Sequence, residues 1–199
     1  RRHSFPTRRS SDLGVTAQNY LRGVQVTDAD GQVTILFSDI EDSTTLNHRL
    51  GDDAWVRLLG EHDRIINRAV DAHHGYVVKT QGDGFMVAFG SPADAVGAAV
   101  DVQRAISDVR PGSRLDPVRV RIGVHRGPAV HRDNDLLGQN VAMAARVAGQ
   151  ADGEEILISD AVFDDLGGSV PVVQARDVEL KGIPGTHVVH AIDWAESVR

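Results

Sequence analysis

Two acidic residues stand at the ends of predicted β-structure, where carboxylates could hold metal ions. The apolar-rich run 33–38 predicts a largely buried strand, and Asp39 follows it directly. Asp83 lies within Gln81-Gly82-Asp83-Gly84, which two short apolar runs flank as in a hairpin of the Asp-Gly type. Taken singly, each acid has a structural explanation, as a helix cap or as a turn residue. If the two carboxylates meet, their oxygens can form a divalent-cation site.

The residues after Asp39 suit the first turn of a helix. Asp42 and Ser43 are residue types that favour helix caps, and Thr44 continues the polar stretch. Backbone N–H groups at a helix start lack partners within the helix and can bind phosphate. We therefore predict a phosphate-binding helix start at Ser43 and Thr44.

The elements that must position these residues follow from hydrophobic periodicity. Residues 33–124 predict the order strand, helix, strand, strand, helix, strand. This is the split βαβ, or ferredoxin-like, arrangement of an α+β fold. A right-handed crossover makes the first two strands parallel and leaves room for the third between them. Asp39 and Asp83 then reach the same sheet edge, where two carboxylates repel unless protonated or bridged by cations.

A C-terminal αβ elaboration is predicted after this unit. Asp135 leads into a helix over 139–149, which carries Arg146 near its end. A short strand, a short helix and two further strands follow, at 155–158, 159–166, 172–180 and 187–192, with Lys181 in the last loop.

Other polar residues have structural interpretations. Arg119 and Arg121 alternate with apolar residues, so we interpret them as the solvated face of a strand. His62 lies on the apolar face of a predicted helix and is interpreted as a core residue.

Composition limits the possible partners. The chain has 199 residues and a formal charge of −7, which argues against a nucleic-acid or anionic-membrane surface. It has no cysteine, so disulfides and thiolate metal sites are excluded. No apolar run reaches the roughly 18 residues of a membrane span. We expect a cytoplasmic domain without membrane contact from this segment.

The N-terminal region does not fit a folded domain. Residues 1–13 look like a translated sequencing adapter and are excluded from fold reasoning. If so, the natural N-terminus is missing and the chain is part of a longer protein. We predict a linker at 14–31 and one domain at 32–195, which is long enough to bury a core.

Four motifs together resemble the catalytic domain of class III nucleotidyl cyclases. They occur in the family's order and spacing, and the resemblance covers about residues 33–194. The motifs are Phe37-Ser38-Asp39-Ile40-Glu41, Lys79-Thr80-Gln81-Gly82-Asp83-Gly84-Phe85, Leu137-Gly138 followed by Val141 and Ala144-Ala145-Arg146, and Leu180-Lys181-Gly182. The resemblance implies an adenylate cyclase-like enzyme that forms a cyclic nucleotide from a nucleoside triphosphate and releases pyrophosphate.

The resemblance also implies metal and base contacts. Asp39 and Asp83, with the carbonyl of Ile40, would hold two divalent ions, Mg²⁺ or Mn²⁺. Lys79 and Asp135 would read the base. A lysine donates to N1 of adenine and an aspartate accepts from its N6 amine, so this pair favours ATP over GTP.

Further implied roles involve a second copy of the chain. Arg146 would stabilise charge on the transferring phosphate, and Lys181 is the candidate for binding the triphosphate. Lys79, Asp135 and Arg146 would act on the partner's metals across a homodimer interface, which gives two symmetric sites.

One position departs from the family. Four residues before Arg146 the family usually has Asn, sometimes His, and here it is Ala142, which has no polar side-chain atom. Asn140 lies two residues away, about 160–200° around a helix. Two alternatives therefore stay open. One is a cyclase-homology domain that binds nucleotide or regulates a partner without turnover. The other is a different palm-like enzyme, such as a polymerase or diguanylate cyclase, which the Lys79/Asp135 pair and the acidic surface fit poorly.

Overall fold

A computed structural model describes residues 26–28, 30–109, 111–132 and 135–195. The predicted adapter segment and most of the predicted linker lie outside these residues. The strands are β1 (Gln32–Ile40), β2 (Tyr76–Gln81), β3 (Gly84–Phe89), β4 (Val120–Pro128), β5 (Val130–Arg132), β6 (Asp135–Leu137), β7 (Ile156–Ser159), β8 (Val172–Glu179) and β9 (Thr186–Ile192). The helices are α1 (Ser43–Leu50), α2 (Asp52–Ala72), α3 (Pro92–Ser107), α4 (Gln139–Ala148) and α5 (Asp160–Asp165).

A seven-stranded sheet forms the centre of the fold, in the order β2-β3-β1-β4-β7-β9-β8. β3 pairs antiparallel with both β1 and β2, so the first two strands run parallel with the third between them. β4 lies antiparallel on the other side of β1. The predicted α+β, ferredoxin-like arrangement is therefore confirmed, and β7, β9 and β8 extend its sheet as the C-terminal elaboration.

A short hairpin that the sequence analysis did not predict separates β4 from α4. β5 and β6 pair antiparallel as a second, two-stranded sheet. Asp135, which we expected in the loop before the helix, is instead the first residue of β6. Strands of three residues are too short to produce a recognisable alternation, so periodicity could not reveal them.

Helices cover both faces of the main sheet. α2 and α3 pack over one face, where their apolar residues share a cluster with β3 and β4. α4 lies against the other face and touches β4 closely. A side-chain carbon at Gly123 would lie 2.1 Å from the Ala148 nitrogen, and one at Gly127 would lie 2.4 Å from the Asn140 side chain. These two glycines therefore let α4 rest directly on the sheet.

The segment before β1 packs against the domain, although it falls within the predicted linker. Val26 is buried beside Leu136 of β6. The Thr27 hydroxyl lies 2.7 Å from Nε2 of His131 in β5, and Asp28 pairs with Arg126 of β4. In the described part of the chain, no helix has both the length and the hydropathy needed to cross a bilayer.

His62 lies in the core, as its place in the apolar pattern predicted. It is fully buried on α2, with its ring edge-to-face against Phe85 at 5.8 Å between centroids. Nδ1 lies 3.2 Å from the Asp63 carboxylate, whereas Nε2 is buried without a partner. Burial lowers the pKa of His62 below its usual value, although Asp63 and Asp83 act in the opposite direction.

Replacing His62 by phenylalanine should make the fold less sensitive to acid. The unfolded chain binds the His62 proton more readily than the folded one. The stability present above the unfolded histidine pKa of about 6.5 is therefore lost as the pH falls below it. One such proton gives a slope of up to about 1.4 kcal/mol per pH unit. His62→Phe keeps a ring against Phe85 and removes the unpartnered nitrogen.

Urea unfolding of both proteins between pH 5 and 7.5 measures this effect. The acid-dependent loss of unfolding free energy should shrink in His62→Phe without vanishing, because burial also lowers the pKa of His125. Equal slopes in the two proteins would contradict the assignment of acid sensitivity to His62.

Candidate active site

Asp39 and Asp83 line the same cleft, which has a volume of about 290 Å³. Asp39 is at the end of β1, and Asp83 is in the turn that joins β2 to β3. The walls are formed by β1, β2, β3 and one end of α4. The lining residues are Phe37, Ser38, Asp39, Lys79, Gln81, Asp83, Gly84, Phe85, Met86, Ala145, Ala148 and Gly149. The fold thus brings the two carboxylates to one sheet edge, while their roles remain a prediction.

Asp83 is fixed by the backbone of β1. Its Oδ2 accepts a hydrogen bond from the Ile40 backbone N–H at 2.8 Å. Because Gln81 pairs with Gly84, the two central turn residues are Gly82 and Asp83, and the positive φ of 65° falls on Gly82. The predicted Asp-Gly turn is therefore displaced by one residue, since glycine takes the left-handed position most readily. This displacement leaves Asp83 with ordinary backbone geometry.

Asp39 makes an ion pair that the sequence analysis did not predict. Nε and Nη2 of Arg121 donate to its two carboxylate oxygens at 2.9 and 2.7 Å. The two residues are cross-strand partners in the β1–β4 register. These hydrogen bonds raise the pKa of Arg121 against the opposing effect of its partial burial, and the charges of Glu41 and Asp42 add to the rise.

The interpretation of Arg121 as part of a solvated strand face is therefore wrong. Arg119, which directly precedes β4, is exposed and pairs with Glu154 at the protein surface. The signal that could have identified Arg121 is the antiparallel pairing of β1 with β4, which sets Asp39 opposite it. That pairing joins residues 82 positions apart, so no local pattern contains it.

The carboxylates present fit the divalent ions that the resemblance implies. Within the described residues, no group of three or more His, Cys, Asp or Glu side chains surrounds a metal-sized space. Mg²⁺ typically needs only one or two carboxylates when substrate phosphates and water complete its octahedron. Asp83 uses one carboxylate oxygen for the Ile40 N–H, which leaves the other available. Asp39 and Asp83 therefore suit Mg²⁺ or Mn²⁺ held jointly with a phosphate ligand.

A β-bulge turns Lys79 toward the cleft. Val77 pairs with Val87 and Lys79 pairs with Met86, so β2 contains one extra residue, Val78. Val78 packs with Met86 on one face of the sheet. Strict alternation would send the next side chain to the opposite face, but the bulge keeps Lys79 on the Met86 side. Lys79 lines the cleft as a result.

Lys79 and Asp135 are paired with each other. The Lys79 ammonium donates to both carboxylate oxygens of Asp135, at 2.9 and 2.8 Å. Buried Leu136 anchors the short hairpin that carries Asp135. Both side chains stay partly exposed, at 47% and 39%. The structure thus brings together the donor and the acceptor that we predicted to read the base.

Arg146 and Lys181 lie apart from the two aspartates. Nε of Arg146 donates to the Lys181 backbone carbonyl at 3.1 Å. Ala145 and Ala148 of the same helix line the cleft, whereas the exposed Arg146 side chain does not. Lys181 is also exposed and outside the cleft lining. Within one chain, therefore, neither cation reaches the Asp39–Asp83 cleft.

Ala142 lies exposed on α4, and Asn140 does not replace the amide missing there. The Asn140 side chain accepts from Nε2 of His125 at 3.0 Å and donates to the Pro128 carbonyl at 2.7 Å. The His125 ring is held in turn by the Ser159 hydroxyl at Nδ1. The oxygen and the nitrogen of the Asn140 amide are thus both hydrogen-bonded to β4, the strand on which α4 rests.

α1 begins at Ser43, as the polar stretch predicted, with Thr44 as its second residue. Asp42 is the N-cap residue, but it has a left-handed backbone with φ 50° and its side chain makes no capping hydrogen bond. The expected side-chain cap is therefore absent at Asp42. The first backbone N–H groups of α1 follow directly after Asp39 and Ile40, so phosphate binding at Ser43 and Thr44 remains a prediction.

The chain matches one protein family over most of its length. Residues 25–193 match the family described as adenylate and guanylate cyclase catalytic domain. The chain belongs to this cyclase family. Membership removes the polymerase and diguanylate cyclase alternatives, because the match covers both the ferredoxin-like unit and its C-terminal elaboration.

Individual relatives agree with the family match. The chain is 31% identical over 160 residues to an uncharacterized protein of Mycobacterium tuberculosis, covering 77% of this cyclase chain and 53% of that protein. It is also 31% identical to a receptor-type adenylate cyclase of Trypanosoma brucei brucei, covering 86% of this chain and 18% of that protein. It therefore spans about half, or less, of the length of these relatives.

A solved structure supports the fold. The cyclase chain resembles a structure of Trypanosoma brucei adenylate cyclases in their monomeric state with a TM-score of 0.76. The alignment covers 87% of this chain and 92% of that one at 24% identity. At this identity the likeness concerns the fold alone.

Proposed function

We propose that this chain is an adenylate cyclase that converts ATP to 3′,5′-cyclic AMP and pyrophosphate, with residues 32–195 as its catalytic domain. The observation that carries the proposal is the assembled Lys79–Asp135 pair beside the cleft of Asp39 and Asp83. A cation donor next to a carboxylate acceptor complements N1 and the N6 amine of adenine. Guanine presents the reverse pattern, so its donor would face the Lys79 donor and its acceptor would face the Asp135 acceptor. A cytoplasmic location fits the use of ATP.

The metal-binding residues explain how the reaction would be catalysed. Asp39 and Asp83, with the Ile40 carbonyl, would hold two Mg²⁺ or Mn²⁺ ions. When bound, such ions lower the pKa of the ribose 3′-hydroxyl and neutralise the β- and γ-phosphates. The hydrogen bond from Ile40 to Asp83 fixes that carboxylate before substrate arrives, which reduces the reorganisation needed in the transition state.

Phosphate binding would be shared among three positions. The N-terminal N–H groups of α1, at Ser43 and Thr44, follow shortly after Asp39 along the chain, so they would bind phosphate beside the metals. Arg146 would stabilise charge on the α-phosphate. Lys181 would contact the triphosphate, and its loop is already tied to Arg146.

We propose a homodimer with two shared sites. The argument is the separation of Arg146 from the Asp39–Asp83 cleft within one chain. Lys79, which the resemblance also assigns to the partner's metals, lines the cleft of its own chain, so the argument for sharing rests on Arg146. A guanidinium that acts on the α-phosphate must touch it, so a second copy must supply it if this chain's own Arg146 stays with the Lys181 carbonyl. A two-fold axis then gives two equivalent sites.

The second candidate function is nucleotide binding without turnover, and Ala142 favours it. The position has no polar side-chain atom, and the amide of Asn140 is committed to Pro128 and His125. Loss of one preorganised transition-state contact typically costs about 10²–10³ in rate, ~2.7–4 kcal/mol. The metals and Arg146 remain, so we expect slow turnover.

Product analysis of the wild type and Ala142→Asn tests the proposal. Each protein is incubated with ATP or GTP and Mn²⁺, and the products are separated by chromatography. We expect cyclic AMP from ATP, little product from GTP, and a higher kcat with little change in KM for Ala142→Asn.

Three other results would contradict or change the proposal. Preferential formation of cyclic GMP would contradict the base assignment. If neither protein turns over while both bind ATP, the nucleotide-binding candidate replaces the enzyme. A fast wild type with no gain from Ala142→Asn would mean that another group positions the ribose.

A further inference from the structure

Arg121 neutralises the carboxylate that the proposed function assigns to metal binding. Both oxygens of Asp39 accept hydrogen bonds from its guanidinium, in the bidentate geometry that makes Arg–carboxylate pairs strong and specific. The Asp39 side chain is 43% exposed and the Arg121 side chain 29%, so the pair is accessible but only partly hydrated. A divalent ion that binds Asp39 must compete with this guanidinium.

The competition has two parts. The guanidinium fills one acceptor site on each carboxylate oxygen, so an ion that chelates both oxygens must break these hydrogen bonds. It also places a fixed positive charge beside an incoming dication, which is unfavourable at short range. Asp83 is different, because its partner is a neutral backbone N–H that uses one oxygen. The two carboxylates are therefore unequal ligands before substrate arrives.

From this asymmetry we infer that Arg121 holds Asp39 closed to free divalent cations, and that the site takes up its Asp39-bound ion together with a nucleotide. This inference rests on the proposed function. A triphosphate carries the charge that can accept the displaced guanidinium, since phosphate oxygens accept bidentate hydrogen bonds as carboxylates do. The nucleotide thus lowers the cost of separating Arg121 from Asp39. Free metal alone offers the guanidinium no such partner.

Binding of free Mn²⁺, followed by the loss of its solution EPR signal, tests the inference without turnover. In the absence of nucleotide, Arg121→Gln should bind Mn²⁺ about tenfold more tightly than the wild type. Asp39→Asn added to Arg121→Gln should cancel the gain. With a non-cleavable ATP analogue present, the advantage of Arg121→Gln should disappear, because the phosphates then take the guanidinium.

Two further variants separate the contact from charge and folding. Arg119→Gln is the matched control. It removes the same charge two residues before Arg121, from a side chain that pairs with Glu154 and not with Asp39. It should leave Mn²⁺ affinity unchanged. Arg121→Lys keeps the charge, but one ammonium cannot form the two-pronged contact, so its affinity should lie between those of wild type and Arg121→Gln. Circular dichroism establishes that each variant is folded.

The results also distinguish this inference from the proposed function. Equal Mn²⁺ affinity in the wild type and Arg121→Gln, with both weakened by Asp39→Asn, would overturn the inference and leave the metal assignment intact. An equal gain in Arg119→Gln would overturn it as well, because charge alone would then explain the effect. If Asp39→Asn changes Mn²⁺ binding in no protein, with or without nucleotide, both the metal assignment and this inference are wrong.

Discussion

Replacing Asp39 or Asp83 by asparagine should abolish cyclic AMP formation while the fold is retained. Each substitution removes a carboxylate from the pair that would hold the two ions, and the remaining amide oxygen is a much weaker ligand. We expect kcat/KM to fall at least about 10³-fold, ~4 kcal/mol of transition-state stabilisation. Asparagine at 83 can still accept the Ile40 N–H, and both positions are at an accessible sheet edge.

Cyclic AMP formation with Mg²⁺ and with Mn²⁺ measures the loss, and thermal unfolding measures the fold. Asp71→Asn is the matched control, because it makes the same change at an exposed position of α2. That variant should keep wild-type kinetics. If either active-site variant retains near-normal turnover with either metal, the two-ion assignment cannot stand.

Mixing two inactive variants should restore activity if the sites are shared. Asp39→Asn damages the metal half of each site and Arg146→Ala damages the half that the partner contributes. A heterodimer of the two contains one intact site. From a 1:1 mixture with random exchange, about a quarter of wild-type activity is the upper limit, because half of the dimers are mixed and each has one working site. Differently tagged chains allow the heterodimer to be purified before assay.

The control for this experiment is a mixture of Asp39→Asn with Asp83→Asn. Both lesions fall in the metal half, so no combination of these chains contains a complete site and activity should stay absent. Verified Asp39→Asn/Arg146→Ala heterodimers without activity would instead rule out sharing, and Arg146 would have to reach the phosphate of its own chain.

The sequence was sufficient to predict the parts of this site that depend on element order. Once a strand, a helix and a hairpin were predicted in that order, the handedness of the crossover set Asp39 and Asp83 at one edge. The position of His62 also followed from periodicity alone, because a helix that covers a sheet buries one regular stripe.

The remaining features depend on how distant strands align. The pairing of Asp39 with Arg121 is set by the β1–β4 register, and an arginine in an alternating strand looks the same in sequence whether it faces water or a carboxylate. The one-residue displacement of the hairpin turn likewise reflects where Gln81 and Gly84 pair. Local propensity contains neither fact, since register is decided by packing across the whole sheet.

Because of the bulge at Val78, substitution and deletion at this position of β2 should affect the direction of Lys79 differently. Replacing Val78 by another residue leaves the count of residues before Lys79 unchanged, so the lysine keeps its direction. Removing one residue there would restore simple alternation and point the ammonium into the apolar layer beneath α2, on the side occupied by Val77. The direction of the Lys79 side chain thus depends on the number of residues in β2 more strictly than on the identity of residue 78. A substitution at Val78 therefore preserves the facing of Lys79, whereas a single-codon deletion there would reverse it.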